Sequence, residues 1–435
     1  MQPIEIGIIG MVALTVLILA GVRIFVAAGL VGFCGLWALR GFEKAVGIAG
    51  HVPHSDTTNY ALSVLPLFIL IGHLAHKAGI VKGAYQCARA WLGWMPGGLG
   101  VATIFASAGF SAVSGASTAT AAVFSRIAIP ELLRYKYQPG IAAALVAAGG
   151  TLASLIPPSA IMVVYGIITE TSIGGLLMAG FIPGLISAIL YASIIVVRFK
   201  LNPSLGEPSP PSSWGERFKT LPDALPILAV IGAVLGGMYT GWATPTEVGA
   251  LGAFIVFGIA VARSALSPRG LLDSLLDTVK LTAMIFSIIW GVLIFVRFLA
   301  FAGVSSAFSD WIVAIGVSPY LVLLFVILLY TVLGMFMDGI GMLLLTLPVV
   351  FPVMSKLGFD PIWFGIIVVK MVEVGLLTPP VGLNCYVVNG VRPDIPMQQI
   401  FRNVWPFVLM DFACIGLFTL FPGIVTFLPN LAMGG

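Results

Sequence analysis

Residues 376–384 read LLTPPVGLN: two prolines, a glycine and an asparagine inside an otherwise apolar segment. Proline lacks a backbone donor and its ring clashes with the preceding turn, so a helix entering this stretch has to break. A related stretch, LASLIPPSA, occupies 152–160. The two are in register. Pro157 and Pro379 lie 222 positions apart, as do Pro158 and Pro380, Pro139 and Pro361, and Pro130 and Pro352. Shared hydrophobic composition does not fix proline spacing, so this offset marks an internal repeat.

The surroundings decide the class. The chain has 435 residues, 59% hydrophobic and only 9% charged, where a soluble protein carries about 25% charged residues. Apolar runs recur at 6–22, 61–80, 174–197, 224–240, 246–262 and 405–424, and a crossing of about 30 Å of hydrocarbon takes about 20 residues. The runs are too long and too uniformly apolar for barrel strands. An all-α polytopic membrane protein with roughly ten to twelve membrane-inserted elements is expected. The net charge of +4 reports topology rather than an acidic partner such as nucleic acid. The first apolar run lacks a basic leader and reads as the first helix rather than a cleaved signal. Cys34, Cys87, Cys385 and Cys414 form no CxxC and read as packing residues.

The segment 201–223, LNPSLGEPSPPSSWGERFKTLPD, is rich in Pro, Ser and charge and reads as an exposed linker. It separates a first half, 1–200, from a second, 224–435. Each half is expected to hold a hairpin (near 98–130 and 320–352) and a broken helix (near 139–170 and 361–390). Five full spans are expected between the loop 131–138 and its counterpart 353–360. An odd number puts these loops on opposite faces, and Arg134 and Lys136 favour the cytoplasm for the first. The repeats are then inverted, as in secondary transporters with discontinuous helices.

In 98–130 a small, polar stretch, SAVSGAST (111–118), interrupts the apolar run. It leaves arms of about 13–14 residues, about 20 Å each, too short to cross. A re-entrant hairpin with its tip near midplane follows; a small-residue packing face is the alternative. The repeat offset puts the partner tip in FMDGIG (336–341), which sets Asp338 at membrane depth, where an ionisable group is a functional candidate. Broken helices at such depth free carbonyls, and with nearby hydroxyls these make oxygen cages suited to Na⁺. The first cage is assigned to Ser114, Ser117, Ile156, Pro158 and Ser159, the second to Gly334, Asp338, Gly339, Thr378, Pro380 and Gly382. Helix N-termini beside them suit an anion, and Ser111, Gly115 and Asn384 are assigned to substrate. Na⁺ is the only cofactor expected.

At these motifs the chain resembles the large membrane subunit of tripartite ATP-independent periplasmic (TRAP) transporters. The matching stretches are LPLFILIGHLAHKAGI (65–80), GFSAVSGAST (109–118), IPELLRYKY (129–137), LIPPSAIMVVYGIIT (155–169), FIPGL (181–185), GWATPTEVGA (241–250), LPVVFPV (347–353) and GLLTPPVGLNCYVV (375–388). The resemblance implies a multi-pass subunit of the bacterial inner membrane that imports organic acids on a Na⁺ gradient by an elevator motion. It also implies a small four-helix membrane (Q-type) partner, a periplasmic (P-type) substrate-binding protein and membrane lipid. The length fits the large subunit alone. Lys136 and the run Phe124–Ser125–Arg126 depart from the pattern and are expected to bear on packing and the hairpin's edge.

Other groups carry blander readings. His73 and His76, at i,i+3, have no evident third metal ligand and suit a span end. Lys370 and Glu373 suit a neutralising pair, with proton coupling by Glu373 or Asp338 the alternative. Glu247 suits a cap with Thr244 or Thr246. No HExxH, GxSxG, P-loop or cysteine cluster is present, so an enzyme is not expected. The rival function is a stand-alone sodium- or proton-coupled carboxylate symporter without a binding protein.

Overall fold

Every regular element is helical in the computed structural model, which describes residues 1–57 and 60–433. The first half contains α1 (Pro3–Leu19), α2 (Ile24–Arg40), α3 (Phe42–Thr57), α4 (Val64–Lys77), α5 (Ile80–Leu92), α6 (Gly98–Ser114), α7 (Ser117–Arg134), α8 (Pro139–Thr151), α9 (Ala160–Thr169) and α10 (Ile173–Leu201). The second contains α11 (Trp214–Tyr239), α12 (Pro245–Ala262), α13 (Pro268–Ala302), α14 (Val304–Ile315), α15 (Pro319–Gly334), α16 (Gly339–Lys356), α17 (Pro361–Leu377), α18 (Leu383–Val391), α19 (Met397–Leu420) and α20 (Gly423–Met433). The proline offset extends to whole elements: α7 and α16 are each 18 residues and start 222 positions apart, and α8 and α17 start with the same offset.

Among the described residues, six helices are long and apolar enough to cross a bilayer: α10, α11, α12, α13, α16 and α19. α4 and α5 form a further pair bent by 69° at Gly79, whose φ of +68° ends one helix and starts the next. α16 qualifies by length and composition, yet its N-terminus is a hairpin tip that lines an internal cavity.

Three local expectations change. The hairpin arms are longer than the 13–14 residues read from the sequence, at 17 and 18 residues for α6 and α7. Ser111 to Ser114 stay helical, and the break is confined to Gly115–Ala116, where Gly115 takes φ +60°. At 1.5 Å per residue α6 reaches about 25 Å, still short of the hydrocarbon thickness. The linker is shorter than 201–223, because α11 begins at Trp214. The cause is a capping box: Ser213 Oγ accepts from the Glu216 N–H, and Glu216 Oε2 accepts from the Ser213 N–H at 2.8 Å. Nor is the remainder loose. Leu205 and Ser209 are buried, and the N–H groups of Glu207 and Ser209 donate to the carbonyls of Tyr135 and Gly93.

Two clusters of helices stand out, joined where α4, α5 and α11 pack on α6 and where α13 and α14 pack on α16. α2 lies along α13, and α4 packs on both α12 and α13. α6 to α10 pack with α15 to α20, and the two halves interlock there. The arm α7 packs on its own α8 and on α18 of the other half, while α16 packs on α17 and on α9. The α2–α13 seam is made by glycine. A Cβ at Gly32 would stand 2.7 Å from the Phe295 backbone, and one at Gly291 would stand 2.2 Å from the Phe25 carbonyl oxygen. The two backbones therefore touch directly, the close approach that small residues allow between membrane helices.

Candidate ion and substrate site

Each hairpin tip abuts a helix break. At the first, α8 runs out through a short 3₁₀ turn (152–154), and Pro157–Pro158 prevent continuation to α9. Both Pro157–Pro158 and Pro379–Pro380 are cis. The α6–α7 tip presses on this break: a Cβ at Gly115 would stand 2.6 Å from the Pro158 carbonyl oxygen, and the Ala160 N–H donates to the Gly115 carbonyl. Ser117 Oγ bonds Ser154 Oγ at 2.7 Å, and Ser114 Oγ bonds Thr120 Oγ1 at 2.8 Å. Ser159 caps α9 through Met162 N–H and donates its hydroxyl proton to the Ser154 carbonyl. Among the described residues no hydrogen bond reaches the carbonyls of Ile156 or Pro158. Ser117 and Ser159 are thus linked through Ser154, while the Ser114 hydroxyl turns to Thr120 of its own hairpin.

The second tip differs in chemistry. Asp338 caps α16, its Oδ2 accepting from the Gly341 N–H at 3.0 Å, and the carboxylate lines the cavity described below. Gly334 meets Gly375 of α17 with almost no gap, a Cβ there being 2.8 Å from the Gly375 Cα. The Val381 N–H donates to the Met335 carbonyl, which fastens tip to break. Thr378 ends α17 in an extended conformation, and its hydroxyl donates to the Val374 carbonyl, so its lone pairs remain free to accept. Gly382, two residues beyond Pro380, takes φ +56° to start α18.

Both tips, and residues flanking both breaks, line one cavity of about 370 Å³. Of the predicted cage residues Ser114, Ser117, Asp338 and Gly339 are in its wall, while Ile156, Pro158, Ser159, Gly334, Thr378, Pro380 and Gly382 are not. Ser114 to Thr118 and Asp338 to Ile340 supply the tips, and Ala160, Ile161, Leu376 and Leu383 flank the breaks. The opposite wall is apolar: Phe68 and Ile69 of α4, and Leu281, Met284, Ile285 and Ile288 of α13.

The predicted substrate residues divide. Gly115 lines the cavity, but Ser111 and Asn384 do not. Both are fully buried behind it. Asn384 Nδ2 donates to the Ala147 carbonyl, while Asn384 Oδ1 and Ser111 Oγ lack a hydrogen-bond partner among the described residues. Asn384 holds α18 to α8, a tie between halves. Glu247 forms a reciprocal capping box with Thr244.

One feature lay beyond the sequence reading. Lys370 and Glu373 pair at 2.5 Å, but Lys370 Nζ also meets Asp411 Oδ1 of α19 at 2.7 Å and Ser187 Oγ of α10 at 3.0 Å. Tyr191 donates to the same Asp411 oxygen at 2.6 Å. All three charged groups are fully buried. Asp411 is 38 positions from Glu373, and no local spacing announces it.

Residues 11–424 match the family described as tripartite ATP-independent periplasmic transporter, DctM component. The chain belongs to this family. It is therefore a DctM-type permease of the inner membrane. It is 34% identical over 378 residues to the sialic acid TRAP transporter large permease protein SiaM of Vibrio cholerae, covering 86% of this chain and 88% of that one. It is 35% identical over 377 residues to the C4-dicarboxylate TRAP transporter large permease protein DctM of Pseudomonas aeruginosa, covering 86% and 87%. Among solved structures, the YdaH transporter of Alcanivorax borkumensis aligns with a TM-score of 0.59 over 88% of this permease and 90% of that chain, at 13% identity. That likeness concerns the fold alone.

Proposed function

We propose that this permease is the large subunit of a Na⁺-coupled importer of a small organic acid, working by an elevator motion of inverted repeats. The observation that carries the proposal is the cavity lined by both tips and by residues flanking both breaks. Ser114, Ser117, Ile156, Pro158 and Ser159 would hold one Na⁺, and Gly334, Asp338, Gly339, Thr378, Pro380 and Gly382 a second. The all-oxygen donor sets, with the unbonded carbonyls of Ile156 and Pro158 and the carboxylate of Asp338, fit a hard cation. Bound Na⁺ would supply positive charge beside an anionic substrate. The chain's own part is positional: the tips and the N-termini of α7, α9, α16 and α18 face the cavity side by side, and helix N-termini favour an anion there.

In this proposal α6 to α10 and α15 to α20 carry the substrate past α4 and α13. The named relatives handle a sialic acid and C4-dicarboxylates, both organic acids, which supports the substrate class. A small Q-type subunit and a P-type binding protein complete the assembly. The test is uptake of succinate and of N-acetylneuraminate into proteoliposomes containing the assembled membrane subunits, with the cognate binding protein outside. Uptake is expected to need both the binding protein and a Na⁺ gradient. Full uptake with K⁺ or choline replacing Na⁺ refutes the coupling, and full uptake without the binding protein favours the stand-alone symporter.

A further inference from the structure

A second chamber of about 450 Å³ lies along the flank of α7 and shares Ile69, Ser114, Ala116 and Leu281 with the cavity at the tips. Its charged and titratable lining comes from three helices: Arg126 of α7, His73 and His76 of α4, and Asp277 of α13. Arg126 is exposed, and among the described residues its guanidinium makes no hydrogen bond or ion pair. Asp277 is occupied on its own helix by Lys280, at 3.6 Å, and Lys77 by Asp273, at 3.7 Å. Arg126 thus brings five uncommitted donors to the chamber.

Arg126 stands nine residues beyond Ser117, about 13 Å from the tip, and eight residues, about 12 Å, short of the helix end at Arg134. With the tip near midplane this is close to the edge of the hydrocarbon, where a guanidinium needs a watery path or a partner. The chamber supplies the path, and its overlap with the tip cavity makes the two consecutive. A cation is a poor occupant. Arg126 repels it, and among the described residues no group of three or more His, Cys, Asp or Glu is placed to hold a metal. A planar carboxylate or a sulfonate matches the guanidinium fork.

We propose that Arg126, opposed by His73 and His76, forms a second anion station, which takes the acidic group of the substrate between the hairpin tips and the cytoplasmic face. The station deepens the transport proposal and rests on it for direction, but its charge preference is measurable without transport. The test places a single reporter, Ala122→Cys, in the chamber wall of a full-length chain whose four native cysteines are replaced. Rates of modification by negatively charged sulfonatoethyl and positively charged trimethylammonioethyl methanethiosulfonate are compared in liposomes. Arg126→Gln is expected to lower the preference for the anionic reagent about threefold or more, and Arg126→Lys to keep it. Succinate and isethionate should slow modification in the parent and not in Arg126→Gln. An unchanged preference in Arg126→Gln, or no protection in the parent, overturns the station. Should Arg126→Gln not purify intact, the parent reads the same field: its anionic preference must fall as salt rises, and a salt-independent preference again overturns the proposal. These rates need neither a Na⁺ gradient nor a binding protein. The station can therefore fail while the tip site stands, and the reverse.

Discussion

Replacing Lys370 with Met should cripple the protein, while replacing Glu373 with Gln should hardly disturb it. The asymmetry follows from counting charges in a sealed space. One ammonium faces two carboxyl groups, Glu373 and Asp411, and all three are fully buried. Among the described residues Glu373 Oε1 and Asp411 Oδ2 have no hydrogen-bond partner. Removing the lysine leaves two carboxyl groups facing each other without a cation, and breaking a buried pair in this way costs about 3–5 kcal/mol. Removing the surplus carboxyl leaves one ammonium opposite Asp411, with Tyr191 and Ser187 still bonded; the change should stay within about 1 kcal/mol, the net worth of one hydrogen bond. The double variant Lys370→Met/Asp411→Asn should regain much of the loss. Thermal denaturation followed by fluorescence-detected size exclusion in detergent reads all three. Equal losses for Lys370→Met and Glu373→Gln, or a fully stable Lys370→Met, would refute the charge-balance reasoning.

Other outcomes follow from the tips and the topology. Thr378→Val removes a hydroxyl oxygen from the second proposed cage, at a cost of about 1–3 kcal/mol; sodium titrations of uptake should show a roughly ten- to hundredfold weaker dependence, and an unchanged curve removes Thr378 from the cage. Gly115→Ala should abolish uptake, since its Cβ would stand 2.6 Å from the Pro158 oxygen. The control is Gly21→Ala, at φ +83° with nothing within 4 Å, which should cost only the left-handed penalty of about 1–2 kcal/mol; equal effects on uptake would show that the tip contact is irrelevant. Single cysteines at 134 and 357 should react with an impermeant thiol reagent in whole cells only at 357, and equal labelling rules out inversion.

Proline spacing exposed the helix breaks because proline acts through its own backbone, so its effect is local and readable. Hydropathy exposed the class for the same reason. The capping box at Ser213 and Glu216 was equally local, but the Pro- and Ser-rich composition around it hid the start of α11. Contacts between distant segments were not legible. Asp411 reaches Lys370 from another helix, and Asn384 points at Ala147 rather than into the cavity. Nothing in the spacing of His73, His76 and Arg126 said that α4 and α7 face each other across a chamber.

The glycine seam between α2 and α13 has a mechanical consequence. Backbones that meet without intervening side chains have no rotamers to exchange, so sliding one past the other means climbing over rigid atoms. Such a joint bears load instead of yielding. The wall of α4 and α13 that faces the tips has the opposite grain. It offers long, jointed side chains such as Met284, Leu281 and Ile288 to the serine, glycine and alanine of the first tip, Ser114 to Ser117. Soft bristles against a smooth face shear easily, because each chain can swing aside and settle again. If the tips travel, this molecule has put its weld on the later turns of α13, at Gly291 and Phe295, and its bearing on the turns before them, at Leu281 to Ile288.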